Sequence, residues 1–248
     1  MRCLSLSRWP KVSVVVPALD EEREIGECLA SLAHQTFPDF EVIVVDNGSQ
    51  DATVSIARSY GARVIHEPRR GAPYAREAGF QAARAGIIAS TDADTVVPPD
   101  WLARIHRAFE EDPEVIAVFG PFRGKPSSAP SALGNHLLPL LETGVVVGQR
   151  VAWRTKAPLF SGANFAVRRE AFHRARGFRS LRCGHIYTSS EDILLGSKLR
   201  RLGKVRYLPD LVVLTSAREV RPLSPWTLAL IGDGFRLAGR VLRGEKGL

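Results

Sequence analysis

A regular alternation of short β-branched runs and helical stripes over the first 120 residues constrains the fold most strongly. Lys11–Val16 is a run dominated by the β-branched residue valine, and it stops at Pro17. Such a run is typical of a strand that is buried on both faces, as in a parallel sheet. Further strands of this kind are expected at Glu41–Val45, Ala62–Ile65, Ile87–Thr91 and Val115–Phe119.

Helical patterns fall between these strands. Helices are expected at Ala52–Tyr60 and Ala72–Ala85, and another opens at Pro98-Pro99-Asp100. Strand–helix alternation at this spacing predicts right-handed βαβ units. We therefore expect an α/β fold with a mostly parallel, doubly wound sheet flanked by helices, in which ligands bind at the carboxyl ends of the strands. The first helical stripe is formed by Ile25, Cys28, Leu29 and Leu32.

The alternation ends at about residue 125, where the Pro/Ser-rich stretch Gly124–Pro130 begins. Because no flexible linker follows, a single compact unit is expected over 1–222, with a front half at 11–124 and a back half at 125–222. Residues 223–248 form a basic tail. The elements expected in the back half are helices at Leu133–Trp153, Arg169–Arg174 and Asp192–Arg201, and strands at Phe160–Phe165 and Val205–Leu208.

The charge of this 248-residue chain is unevenly distributed. It has 34 Lys and Arg against 26 Asp and Glu, a net charge of +8, yet Lys198–Leu248 alone holds 11 basic and 4 acidic residues. A nucleic-acid-binding protein would show a basic face interleaved with aromatic side chains. The nearly neutral front of the chain argues against that class, so no nucleic-acid partner is expected.

The cysteine content favours a reducing compartment. Cys3, Cys28 and Cys183 are odd in number and lack C-x-x-C spacing, so neither a disulfide framework nor a zinc cluster is expected. Residues 1–10 lack the apolar stretch of a signal peptide, and no run of 18 apolar residues is present. A cytoplasmic location is therefore expected.

Acidic residues lie just past two of the expected strands. Asp92-Ala93-Asp94 follows Ile87–Thr91, and two carboxylates on a loop leaving a strand can converge on one Mg²⁺ or Mn²⁺ ion. A D-x-D by itself is more often a solvated loop, but its place at a strand end favours a site. Asp46 ends another strand and could bind a base or ribose. The alternative for Asp46-Asn47-Gly48-Ser49 is a plain Asn-Gly turn.

Two further groups of residues have both a functional and a structural interpretation. Arg76 lies near the start of an expected helix, where a guanidinium group and backbone N–H groups both favour a phosphate. Arg69 and Arg70 are better explained as a solvated turn. Glu191 and Asp192 precede an apolar helical stripe, where acidic residues ordinarily serve as caps and dipole partners.

Several blocks of the chain follow one another in a characteristic order over roughly residues 11–210. They are Val12–Glu22, Val45–Ser49 with Asp51 and Thr53, Gly71–Gly79 leading to Asp92-Ala93-Asp94, Ser161–Arg168, and the pair Glu191-Asp192. In this order the blocks resemble glycosyltransferase family 2. The resemblance implies the GT-A fold, and it also implies an inverting transfer of a sugar from a nucleotide sugar to an acceptor hydroxyl.

The resemblance also implies roles for individual residues. Asp192 is expected to be the general base that removes the acceptor hydroxyl proton, with Glu191 beside it. Asp94, together with Asp92, is expected to hold a divalent cation, Mn²⁺ or Mg²⁺, on the diphosphate. The expected donor is foremost a UDP sugar, and the acceptor is a saccharide or lipid-linked hydroxyl. The residues expected to line the nucleotide-sugar pocket are Pro17, Ala18, Asp20, Glu22, Asp46, Arg76, Asp92, Ala93, Gly162, Asn164 and Arg218.

The chain departs from the family pattern at three places. Leu19-Asp20 stands where Tyr-Asn is familiar, and Glu77 follows Arg76 where Asn is common. Many relatives supply a late histidine to the metal, but Val213–Arg218 contains none. Arg218 is then expected to steady the diphosphate directly.

Two other functional classes stay open at this point. A nucleotidyltransferase would also use strand-end carboxylates and a metal, but it usually has a Gly/Arg/Lys-rich phosphate loop where this chain has Asp20-Glu21-Glu22. A catalytically silent module that binds nucleotide sugars would be expected to lack Asp94 or Asp192. An NAD or methyl-donor Rossmann protein is disfavoured because no G-x-G-x-x-G follows the first strand.

The basic tail at 223–248 has two interpretations. Its apolar residues recur at helical spacing beside Arg236, Arg240 and Arg243, as in a basic helix that lies in a membrane interface. The alternative is that the apolar stripe packs on the body and the arginines are solvated. Peripheral association with the inner, anionic face of a membrane is therefore a hypothesis alongside the cytoplasmic location.

Overall fold

A computed structural model describes residues 9–125, 161–178 and 191–216 of the chain. Strands and helices alternate along the first of these ranges, as the sequence predicts. The elements are β1 (Val12–Ala18), α1 (Ile25–Ala33), β2 (Phe40–Asp46), α2 (Thr53–Ser59), β3 (Arg63–His66), α3 (Ala72–Ala82), β4 (Ile87–Ser90), α4 (Trp101–Glu110), β5 (Val115–Phe119), β6 (Phe122–Gly124), β7 (Phe165–Arg168), α5 (Arg169–Arg174), α6 (Glu191–Leu202), β8 (Lys204–Tyr207) and β9 (Val213–Thr215).

Seven of the described strands form one sheet in the order β3-β2-β1-β4-β7-β5-β8. Strands β3, β2, β1 and β4 run parallel to one another, and β5 runs parallel to β8. Strand β7 runs antiparallel to both β4 and β5. The expected mostly parallel, doubly wound α/β sheet is confirmed, and the reversal at β7 brings a back-half strand beside β4.

Apolar side chains cover both faces of this sheet. Val14 and Val16 of β1 pack on one face with α1, α2 and α4. Val15 packs on the opposite face, where Phe80 of α3 and Phe172 of α5 lie together with the apolar side of α6. The two cores share one sheet, so the described residues form a single compact unit.

Helix α3 approaches the sheet closely because Gly79 faces it. A Cβ at this position would overlap Cγ1 of Val15 and lie 2.8 Å from Cγ2 of Val45. The helix ends at Ala82, earlier than the expected Ala85. Ala83 turns to an extended conformation, and Ser13 Oγ then accepts from the backbone N–H of Ala85 at 3.0 Å. This close packing sets the depth at which α3 presents its other side chains to the strand ends.

Two features of the structure differ from the sequence prediction. The strand expected at Phe160–Phe165 begins only at Phe165, because residues 161–164 form a turn in which Asn164 N–H donates to Ser161 O at 3.0 Å. Strands β6 and β9 form a separate parallel pair that was not expected. Each has three residues, too few for a strand pattern to be recognised in sequence.

Some sequence predictions lie outside the described residues. They include the helices at Leu133–Trp153, the tail at 223–248 and the division of the chain at residue 222. Within the described ranges, no helix combines the length and apolar character needed to cross a bilayer.

Candidate active site

Reciprocal hydrogen bonds tie the carboxyl ends of β1 and β2 together. Asp20, with a positive φ of 54°, accepts from the backbone N–H of Gln50 at 2.7 Å, and its own N–H donates to Ser49 Oγ at 3.1 Å. The N–H of Glu22 likewise donates to Asp51 Oδ2 at 2.9 Å. Asp20 and Glu22, both expected in the nucleotide pocket, therefore shape a wall made by two loops.

Asp46 is the charged group at the end of β2. It is level with Ala18 of β1 and His66 of β3 in the register of the sheet. Its Oδ1 accepts from the N–H of Ser49 at 2.9 Å, and its Oδ2 lies 3.0 Å from Nδ1 of His66. Burial alone would raise the pKa of Asp46, but the hydrogen bonds from Ser49 and His66 outweigh it and hold the pKa below its ordinary value. Asp46 is thus an ionised group that can only accept hydrogen bonds.

The neighbouring Asn47 fixes the loop that leads into α3. Its Nδ2 donates to the carbonyl oxygens of Glu67 and Arg69, each at 2.8 Å, and its Oδ1 accepts from Gly71 N–H at 2.7 Å. The Asn-Gly turn considered from sequence is therefore also a brace between strand ends. In the same loop Arg69 donates to both carboxylate oxygens of Glu67, each at 2.7 Å. These hydrogen bonds lower the pKa of Glu67 to about 2.

Arg76 connects the front and back halves of the site. The side chain is 8% exposed, and its Nη2 donates to Oδ1 of Asp92 at 2.5 Å. The guanidinium group also lies against Gly162, where a Cβ would overlap it. The N–H of Gly162 in turn donates to Oδ2 of Asp192, in the first turn of α6, at 2.8 Å. A continuous chain of contacts therefore joins the loop after β4 to the start of α6.

The two carboxylates of the D-x-D segment have different protein partners. Asp92 meets Arg76, whereas Oδ1 of Asp94 accepts from the hydroxyl groups of Thr95 at 3.3 Å and Thr215 at 3.0 Å. Ala93, between them, is buried at 4% exposure. The two carboxylates therefore lie at separate positions on the same edge of the sheet.

A metal ion at this edge could take oxygen ligands from a bound molecule as well as from the protein. Across 9–125, 161–178 and 191–216, no three His, Cys, Asp or Glu side chains gather closely enough to hold one. Mg²⁺ and Mn²⁺ are commonly held by one or two carboxylates plus phosphate oxygens. Asp94 fits that arrangement, because it offers a hard carboxylate ligand whose orientation is fixed by two hydroxyl groups.

Asn164 stabilises the turn that carries Gly162 through hydrogen bonds of its side chain. It is fully buried, its Oδ1 accepts from Trp101 Nε1 at 2.9 Å, and its Nδ2 donates to the carbonyls of Pro121 (2.9 Å) and Leu211 (2.6 Å). These bonds hold the turn that carries Gly162. We therefore interpret Asn164 as a structural support for that turn, which differs from the expected ligand contact.

Some residues of the site were not foreseen from the sequence. His66 could have been found, because a parallel β2–β3 pair places the last residues of the two strands side by side. Thr215 could not have been found from the sequence, because it lies 121 positions from its partner Asp94.

Cys28 also contacts the site. Its thiol donates to the carbonyl of Asp92 at 3.4 Å, and the pKa of the thiol is raised by burial and then by the charges of Asp92 and Asp94. Arg218 and the side chain of Glu191 lie outside the described parts of the chain.

The doubly wound sheet with acidic groups at its carboxyl edge is the architecture of a GT-A glycosyltransferase domain. The chain belongs to glycosyltransferase family 2, since the model of "Glycosyl transferase family 2" matches residues 13–176. Glycosyltransferase AglE of Haloferax volcanii is 37% identical over 106 residues, which cover 40% of this chain and 35% of AglE. An uncharacterized glycosyltransferase of Mycobacterium tuberculosis is 32% identical over 162 residues, covering 64% of this chain and 68% of the relative.

Solved structures show the same fold. Mannosyltransferase PcManGT from Pyrobaculum calidifontis, in complex with GDP-Man and Mn²⁺, superposes with a TM-score of 0.68 at 26% identity, over 94% of this chain and 65% of that one. Glucosyl-3-phosphoglycerate synthase from M. tuberculosis was solved in complex with Mn²⁺, UDP-glucose and phosphoglyceric acid. It superposes with a TM-score of 0.61 at 23% identity, over 93% of this chain and 80% of that one. The chain spans about a third of the length of several curated relatives, AglE (35%) among them.

Replacing Gly162 with alanine is expected to displace Arg76 from Asp92, since the new methyl group would occupy the space of the guanidinium group. Arg76 is expected to contact the phosphate groups of the nucleotide, so its displacement should weaken the binding of a nucleoside diphosphate by roughly tenfold, as measured by calorimetry. The unfolding temperature should also fall, because the buried pair with Asp92 is broken. The matched control is Gly86→Ala, because a Cβ there meets nothing within 4 Å. Equal binding by the two variants would contradict the role given to Arg76.

Glu67 is expected to make the free energy of unfolding depend on pH in the acidic range. Its pKa is about 2 in the folded chain against an ordinary 4.5, so its contribution is fully present above pH 4.5 and is lost as the pH falls towards 2. The Glu67→Gln variant should unfold at a lower temperature than the unsubstituted chain at neutral pH, and this gap should shrink between pH 4.5 and 2. Glu114→Gln, at an exposed position, is the control. A gap that stays constant across that range would exclude the ion pair as its cause.

Proposed function

We propose that the protein is an inverting glycosyltransferase that moves a sugar from a nucleoside-diphosphate sugar to an acceptor hydroxyl. The observation that carries this proposal is the chain of contacts from Asp92 through Arg76 and Gly162 to Asp192. It joins a carboxylate suited to the donor with one suited to the acceptor. Membership of the family adds support.

Asp46 supports a donor built on uracil or guanine. An ionised carboxylate accepts hydrogen bonds and donates none. Uracil and guanine carry a ring N–H on their pairing edge, whereas cytosine and adenine present a ring nitrogen that accepts there. Similar structures were obtained with UDP-GlcNAc, UDP-glucose and GDP-Man. A UDP sugar is our first choice of donor, and Pro17, Ala18, Asp20 and Glu22 are proposed to line its nucleotide pocket.

Asp94 is proposed to hold a divalent cation, Mn²⁺ or Mg²⁺, together with the donor diphosphate and with Asp92. Two similar structures contain Mn²⁺ beside a nucleotide sugar. Such a cation, when bound, neutralises the charge that develops on the leaving diphosphate. Arg218 is proposed to contact the same diphosphate from the back half of the chain.

Asp192 is proposed to accept the proton of the acceptor hydroxyl, with Glu191 beside it. The acceptor oxygen forms a bond to the anomeric carbon while the bond from that carbon to the diphosphate oxygen breaks, and the proton passes to Asp192. Attack on the face opposite the leaving group inverts the anomeric configuration. The backbone N–H of Gly162 holds one oxygen of Asp192, which fixes the direction of the base. The acceptor is proposed to be a saccharide or a lipid-linked hydroxyl, which the basic tail would help to reach at a membrane surface.

The Asp192→Asn variant tests the base directly, since it keeps the shape of the side chain and one acceptor oxygen but removes its basicity. Turnover should fall by about 10²–10⁴-fold, the usual contribution of a general base, while binding of the nucleoside diphosphate is retained. Release of the nucleoside diphosphate from a UDP or GDP sugar in the presence of acceptor is the measurement. Glu191→Gln is the matched comparison. Turnover that falls with Glu191→Gln and not with Asp192→Asn would assign the base to Glu191.

A further inference from the structure

Strand β9 braces the D-x-D segment through the backbone. Val213–Thr215 pairs in parallel with β6, and Leu214 also exchanges two hydrogen bonds with Val96. The N–H of Val96 donates to the carbonyl of Leu214 at 2.7 Å, and the N–H of Leu214 donates back at 2.9 Å. Val96 follows Asp94 by two residues, so the loop that carries Asp94 is held by a strand from the far end of the described chain.

A hydroxyl group adds a second, side-chain connection at the same place. Oγ1 of Thr215 donates to Oδ1 of Asp94 at 3.0 Å, and Oγ1 of Thr95 approaches the same oxygen at 3.3 Å. Thr95 is fully buried and belongs to the loop itself, whereas Thr215 reaches Asp94 from another strand. Two hydroxyl groups on one carboxylate oxygen restrict the rotation of that carboxylate.

Thr215 is itself fixed in position. Its carbonyl oxygen accepts from the N–H of Lys125 at 2.8 Å. The buried Lys125 ammonium group pairs with two carboxylates of the α1 region, Glu24 at 3.0 Å and Glu27 at 2.6 Å. Burial alone would lower the pKa of Lys125, but these two carboxylates raise it overall, so the charge is retained. The strand that carries Thr215 is thus tied to the body of the domain.

We propose that Thr215 is a positioning residue for donor binding. Its hydroxyl group orients the Asp94 carboxylate in advance, so that little rotation remains to be lost when the cation and the diphosphate bind. Ordering a ligand group before binding lowers the cost of association. The inference rests on the proposed function, because it assumes that Asp94 meets a cation–diphosphate pair.

The test compares Thr215→Val with Thr215→Ser in the full chain. Valine keeps the β-branched shape that suits a strand but removes the hydroxyl group, and serine keeps the hydroxyl group. Titration calorimetry with UDP and Mn²⁺ should show about tenfold weaker binding for Thr215→Val, the order expected for a hydrogen bond to a charged group. Thr215→Ser should bind within about threefold of the unsubstituted chain. Thr36→Val is the control, since the hydroxyl group of Thr36 also donates a hydrogen bond, but to the backbone carbonyl of Pro99 at 3.2 Å and at an exposed position.

A double-variant cycle separates positioning from general support of the fold. If Thr215 acts through Asp94, then Asp94→Ala with Thr215→Val should bind UDP and Mn²⁺ no more weakly than Asp94→Ala alone. An additive loss would overturn the inference, as would wild-type binding by Thr215→Val or a serine variant as weak as the valine one. Absence of Mn²⁺-dependent UDP and GDP binding by the unsubstituted chain would overturn the proposed function as well, which distinguishes the two failures.

Discussion

The buried Arg76 guanidinium group is the contact on which the arrangement of the site depends. It pairs with Asp92 on one side and lies against the backbone of Gly162 on the other, and Gly162 in turn holds Asp192. A buried cation is tolerated only when it is paired, so the position of Asp92 and the absence of a side chain at residue 162 are linked requirements. Moving any one of these groups would disturb the carboxylates of both halves.

The sheet topology explains why these groups meet. Strand β7 runs antiparallel beside β4, so the turn that precedes β7 lies at the carboxyl end of β4, where the D-x-D segment leaves the sheet. Asn164 fixes that turn through Trp101 of α4, and Gly79 sets the depth of α3, which carries Arg76. The turn that carries Gly162 therefore lies at the same strand edge as the loops that follow β1 and β4, with Asp46 two strands away from β4.

The sequence predicted the parts of this structure that depend on local patterns. The apolar run of β1 and the stripe of α1 specify both faces of the sheet, and strand ends indicate where carboxylates such as Asp46 and Asp94 gather. Contacts between distant segments have no such signal. The partners of Asp94 and Asp192, namely Thr215 and Gly162, follow only from the way β9 and the turn before β7 fold back. The antiparallel direction of β7 could not be predicted either, because the residue pattern of a strand is the same in both directions.

Thermal unfolding with a panel of nucleoside diphosphates tests most directly whether this strand edge is a metal-assisted nucleotide site. A ligand present at 100 times its dissociation constant stabilises the folded chain by about 2.7 kcal/mol. We expect UDP or GDP with Mn²⁺ to raise the unfolding temperature, CDP and ADP to raise it less, and EDTA to remove most of the effect. A chain whose unfolding temperature is unaffected by all four, or is raised equally by all four with and without EDTA, would contradict the site described for Asp46, Asp92 and Asp94.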